Sequence, residues 1–170
     1  MIYLVRHGFI DNKFNNKDNV MKVIEIKNYI IDNNIKIEKI YSSYIECAKE
    51  TADIINSGLR KKIIYDKRLR GLNNKVFNND SYITNNTFNS IDKKNIEGES
   101  IRDLYNRISL FLDNFNEEDV LIVTHNRFIN MVYYILNDIK LDIEKDRYNI
   151  DICSMYEVDI KLKKIRIIFN

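Results

Sequence analysis

The chain has 170 residues, 45% of them apolar, enough for one domain spanning residues 1–170 around a single ordinary core. Its 27 Lys and Arg against 25 Asp and Glu leave a formal charge of +2, which excludes the concentrated basic excess of a nucleic-acid or anionic-membrane binder. Two cysteines, Cys47 and Cys153, cannot build a disulfide framework, and neither has His or Cys neighbours at zinc-ligand spacing.

A reducing cytoplasm is therefore the expected compartment. The first residues, Met-Ile-Tyr-Leu-Val-Arg-His, lack a basic leader with an apolar stretch and cleavage site, and no apolar run reaches membrane-spanning length. Neither export nor anchoring is expected. Pro is absent, Gly occurs four times and Asn, Ile and Lys abound, a bias of AT-rich coding that leaves few ordinary turn signals.

Residues 2–6 form a short apolar run ending in Arg-His-Gly, which predicts a buried strand feeding a turn at Gly8. Asp18 is placed to cap a helix running to about Asn33, with Val20, Val23, Ile24, Lys27 and Ile31 on one face. Ile37–Tyr41 predicts a second strand. Ser42 and Ser43 are expected to cap a second helix, carrying Ile45, Ala48, Ala52 and Ile55 inward and stopping at Ser57-Gly58. Ile63–Tyr65 predicts a third strand.

From Asp66 to Gly98 the periodicity fades into Asn, Asp, Ser and Thr, a connection long enough to suggest a functional excursion. Ser100 then opens a helix with Ile101, Leu104, Ile108, Phe111 and Phe115 on one face. Val120–Val123 is the most apolar strand and runs into Thr124-His125. A helix over about Phe128–Asn137 and an edge hairpin from Asp151–Val158 and Lys163–Phe169 complete the chain. Such alternation predicts an α/β fold in three αβα layers, with a mostly parallel central sheet and helices on both faces.

Only two histidines occur, His7 and His125, and each follows the carboxyl end of a predicted strand. Ligands bind at that edge of open α/β sheets. A lone histidine is more often a hydrogen-bonded structural residue, but two at equivalent strand ends shift the balance toward function. No glycine-rich cradle follows any predicted strand, which disfavours a nucleotide-binding domain.

Leu4-Val5-Arg6-His7-Gly8 resembles the Arg-His-Gly signature of the histidine phosphatase (phosphoglycerate mutase-like) superfamily. Ile40-Tyr41-Ser42-Ser43 with Ala48-Lys49-Glu50-Thr51-Ala52 resembles that family's second block. Gly98-Glu99-Ser100 with Arg107, and Val120–His125, resemble two more in the same order. The resemblance implies a phosphoglycerate mutase-like fold in which His7 attacks phosphorus and forms a phosphohistidine that water hydrolyses. It implies a phosphate site of Arg6, His7 and His125, with His125 the better donor when protonated and no metal or other cofactor required. The implied partner is a small phosphorylated substrate or inorganic phosphate.

The chain departs from this pattern where the family places a second phosphate-clamping arginine: that position is Cys47. Losing such a contact costs roughly 2–4 kcal/mol of transition-state stabilisation. Cys47 as a nucleophile is disfavoured against a small packed helix residue, because no base sits beside it in sequence. In Arg68-Leu69-Arg70-Gly71, Gly71 stands where many members carry an acid glutamate, leaving Asp11, Asp80 or Glu97 as stand-ins.

Ile10 and Lys13, and Asn126-Arg127, are further departures. Arg127, Lys13, Arg68 and Arg70 are candidate replacement cations, each more often an ordinary solvated charge. Two readings remain: a phosphomonoesterase acting through His7, and a degenerate member that binds phosphorylated ligands or a partner without turnover. A mutase ranks third. Substrate choice is assigned to Asn73–Glu97 and the loop after Gly8, and no feature of the sequence encodes an oligomeric state.

Overall fold

The computed structural model describes residues 1–8, 17–73, 91–92, 98–141 and 150–170. In chain order these form β1 (Ile2–Arg6), α1 (Lys17–Asp32), β2 (Lys39–Ser42), α2 (Glu46–Leu59) and β3 (Lys62–Tyr65). A 3-10 turn (Lys67–Leu69) follows, then α3 (Ile101–Asp113), β4 (Val120–Thr124), α4 (Asn126–Leu136), β5 (Met155–Asp159) and β6 (Lys164–Phe169). Among the described residues no helix is long and apolar enough to cross a membrane.

The strands make one six-stranded sheet in the order β3-β2-β4-β1-β5-β6. The first four pair in parallel, whereas β5 runs antiparallel to β1 and β6 to β5. This is the expected α/β architecture with the C-terminal hairpin at the sheet edge. Strand alternation explains the two layers of core. On β4, Val120 and Ile122 face α3 and α4 with Ile101, Leu104, Ile108, Phe128 and Ile129, while Leu121 and Val123 face α1 and α2 with Val23, Ile26, Ala52 and Ile55. β4 is buried along its whole length because it lies at the sheet centre.

Local details correct several expectations. α1 buries Val23, Ile26 and Ile30 rather than Ile24 and Ile31, and Asp18 sits inside its first turn instead of capping it. α2 continues through Ser57-Gly58 and ends at Arg60, whose left-handed backbone (φ 54°) carries its N–H to the Asn56 carbonyl. Gly58 is there for packing, since a Cβ at that position would stand 3.0 Å from both Ile31 and Lys27 of α1. Ser42 and Ser43 do not cap α2; its N-cap is Ile45, with no side-chain bond. α3 opens as expected at Ser100, in a capping box with Asp103, but ends before Phe115, which stacks on Phe111 and Tyr41 from the following loop.

Candidate active site

Strand register builds the site. Arg6 of β1 lies opposite Thr124 of β4, so the next residue on each strand, His7 and His125, emerges side by side at the carboxyl edge. The His7 N–H donates to the Thr124 carbonyl (3.0 Å), and the two rings meet edge to face with centroids 4.6 Å apart. The neighbouring strand β2 ends one step short, and Ser43 anchors there by donating its N–H to Val123 O. Its hydroxyl reaches His125 Nε2 at 2.9 Å.

His7 is buried, and its Nδ1 lies 2.8 Å from the Gly8 carbonyl. A carbonyl only accepts, so Nδ1 carries the proton and Nε2 keeps its lone pair. That lone pair faces Cys47, whose Sγ is 3.7 Å away. Gly8 is tied by its N–H to Thr51 Oγ1 (3.1 Å), and Thr51 in turn donates to the Cys47 carbonyl (2.8 Å). The Thr of the second block therefore fixes the His7 turn to the first turn of α2. His125 is the N-cap of α4 and Cys47 lies in the first turn of α2, so two helix N-termini adjoin the imidazoles, each equivalent to roughly half a positive charge.

Burial pushes His7 below its ordinary pKa, with the Arg6 charge adding to the effect. Burial also pushes His125 down to about 3, aided by the charges of His7, Arg107 and Arg6. Both rings are thus neutral at pH 7, so His125 is not the protonated, stronger donor there. In acid the unfolded chain binds the protons that the folded chain resists, so this stabilisation is whole above about pH 6.5 and is lost as pH falls toward 3. Thermal melts at pH 7, 6 and 5 are expected to show falling stability, steepest between pH 6 and 5, and His125→Gln should flatten that fall by roughly 1 kcal/mol per pH unit. An unchanged slope in the variant would show that His125 titrates normally.

Arg6 donates one end of its guanidinium to the Ile150 carbonyl, and its buried Nε has no partner among the described residues. The expected fork is therefore partly engaged by the protein itself. Arg127 is half-buried in the first turn of α4. Arg68 and Arg70 are not free cations: Arg68 clasps Asp66 (2.6 Å) and Arg70 approaches Glu99 (3.4 Å). Lys13 and the stand-in acids Asp11, Asp80 and Glu97 lie outside the described residues.

Gly71 occupies the position the resemblance assigned to an acid, and a Cβ there would stand 3.2 Å from the His125 Cβ. The acid position thus remains beside the site while its carboxyl is gone. Behind it Arg107 holds Glu99 in a two-pronged pair (2.7 and 2.9 Å) and donates to the carbonyls of Arg68, Arg70 and Gly71. Glu99 is buried at 8% exposure. This brace, which motif reading located without its role, presses Gly71 against His125.

Cys47 is half-buried and on the site, not packed away in the core. Its thiol is pushed up by burial, which holds it as S–H. Cys153 is pushed up to about 11 by burial and packs behind the Gly8 turn, with Sγ 3.8 Å from the Asn19 carbonyl.

Comparison places this arrangement among known proteins. Residues 31–169 match the model of the histidine phosphatase superfamily (branch 1), and residues 1–30, with Arg6 and His7, precede the matched span. No curated protein matches the chain by sequence. The fold is similar to that of α-ribazole phosphatase from Shigella flexneri (TM-score 0.72, 14% identity, 99% of this chain and 94% of that one). It is also similar to mycobacterial glucosyl-3-phosphoglycerate phosphatase (0.69, 15%, 99% and 96%) and to YhfR of Bacillus stearothermophilus (0.69, 18%, 99% and 95%). With the family match covering most of its length, the chain belongs to the histidine phosphatase superfamily, branch 1.

Proposed function

We propose that the protein is a phosphomonoester hydrolase that transfers a phosphoryl group from a small phosphorylated metabolite to His7 and then to water. The observation that carries this reading is the His7 ring itself: Nδ1–H is held by the Gly8 carbonyl, which leaves Nε2 unprotonated and aimed into the site beside His125. Membership of the superfamily supports phosphatase-type activity. The neighbouring His125, the positive charge of Arg6 and the N-termini of α2 and α4 are the groups that offset charge on the transferring oxygens. Inorganic phosphate is the other expected ligand, nucleic acid and membrane are not, and a reducing cytoplasm is the proposed compartment.

Two departures set the expected performance. Cys47 supplies no cation, and Gly71 supplies no proton to a leaving oxygen. The enzyme is therefore expected to hydrolyse p-nitrophenyl phosphate, whose leaving group needs no acid, far better than alkyl phosphates. Assay of purified protein from pH 5 to 8 tests this.

Cys47→Arg should raise the rate by about two orders of magnitude, because it restores a charged contact to the transition state. An unchanged rate would mean that a different cation already fills the role. The same two residues favour a second reading, a non-turning-over binder of phosphorylated ligands; wild-type protein that binds phosphate yet leaves p-nitrophenyl phosphate intact would establish it.

A further inference from the structure

The sequence spacing contains no metal-ligand motif, but the fold gathers one. His7, Cys47 and His125 each present a ligand-type atom, and these atoms lie within 4.8 Å of one another. From this cluster we propose that His7, Cys47 and His125 form a binding site for a thiophilic divalent cation of the zinc class, whose occupancy blocks the catalytic nucleophile.

The geometry is close to what such an ion needs. Zn–S of about 2.3 Å and Zn–N of about 2.05 Å at a tetrahedral angle give an S···N edge of roughly 3.6 Å. The observed Cys47 Sγ to His7 Nε2 separation is 3.7 Å. The widest pair, at no more than 4.8 Å, has to close by up to about 1.4 Å through side-chain rotation, since tetrahedral S···N and N···N edges are roughly 3.6 and 3.4 Å.

The surrounding hydrogen bonds suit ligation. The Gly8 carbonyl holds the His7 Nδ1 proton, the arrangement that orients a ligating imidazole and leaves Nε2 as its metal-binding nitrogen. Ser43 Oγ, at 2.9 Å from His125 Nε2, steadies the second ring. Two imidazoles and a thiol select a zinc-class ion over Mg2+ or Ca2+, which take oxygen ligands. An arginine in place of Cys47 would remove the thiol and repel the ion. The departure that weakens phosphate clamping therefore creates the soft ligand.

On binding, the Cys47 S–H loses its proton to solvent as the S–metal bond forms, and the His7 Nε2 lone pair becomes a metal–nitrogen bond. No oxidation state changes. The fourth position is left for water or an oxyanion. Inhibition by the ion rests on the phosphatase reading given above; binding of the ion does not.

Co2+ added to the metal-free protein is the test. One equivalent should produce an intense near-ultraviolet thiolate-to-cobalt band with visible bands of tetrahedral strength, and Zn2+ should displace both. Cys47→Ser should lose the near-ultraviolet band at an unchanged far-ultraviolet circular dichroism spectrum, whereas Cys153→Ser should keep it. His125→Ala should weaken the visible bands.

A wild-type protein with no band, or a band that follows Cys153, overturns the site. If the band appears and one equivalent of Zn2+ abolishes p-nitrophenyl phosphate hydrolysis until EDTA restores it, both parts stand. A band in a protein that never hydrolyses the ester leaves the metal site intact and removes the phosphatase reading alone. A band with hydrolysis undiminished by Zn2+ overturns the blocking role.

Discussion

His7→Ala is expected to lower p-nitrophenyl phosphate hydrolysis by at least about three orders of magnitude, because it removes the imidazole whose Nε2 is kept unprotonated by the Nδ1–Gly8 contact. The variant leaves His125, Arg6 and both helix N-termini in place, so phosphate should still bind, with affinity reduced several-fold at most. That separation of rate from binding distinguishes a nucleophile from a mere phosphate ligand. Rapid acid-free quenching of the wild-type reaction should also trap a phosphorylated protein that is stable in alkali and labile in acid, as a phosphoramidate is. A His7→Ala protein retaining a tenth of the wild-type rate would overturn the assignment, and Cys47, 3.7 Å from the vacated ring position, would become the leading nucleophile.

Arg107→Met is expected to be the most destabilising single change among those considered, costing about 3–5 kcal/mol. Among the described residues it leaves the buried Glu99 carboxylate with Arg70 and the Asn73 N–H, each at 3.4 Å, and it removes the donor to three backbone carbonyls on the Arg68–Gly71 segment. Urea denaturation with wild-type and variant compared at constant slope measures the loss. The double variant Glu99→Leu/Arg107→Met should recover part of it, because no charge is then left unpaired. Because the same guanidinium presses Gly71 toward His125, Arg107→Met should also lower activity in protein that remains folded. A loss under about 1 kcal/mol would show that the pair behaves as an exposed one.

Much of this molecule was legible from residue order. Short apolar runs at Ile2–Arg6 and Val120–Thr124 are strands because each buries both faces at the sheet centre. Ser100 announces α3 because its hydroxyl satisfies a helix donor, and the structure adds Asp103 as the returning half of the cap. The placement of His7 and His125 followed from strand ends alone. Other readings failed for equally physical reasons. Gly58 resembles a helix stop, yet tertiary packing against Lys27 and Ile31 gives it a different use and leaves Arg60 to terminate the helix. Arg68 and Arg70 resemble spare cations until the fold brings Asp66 and Glu99 to them.

The class of fold, the order of its elements and the two imidazoles at the sheet edge can be read from residue order, because hydrophobic period, caps and strand ends are local properties of a chain. What surrounds those imidazoles is set by long-range packing. Cys47 and His7 are 40 positions apart and Ser43 and His125 are 82 apart, distances in sequence that carry no signal until parallel strands are laid in register. Desolvation, which keeps both histidines neutral and the Cys47 thiol protonated, is likewise a property of the packed interior. Chemistry at this site therefore depends on which groups share a buried volume, and that is decided by packing rather than by order.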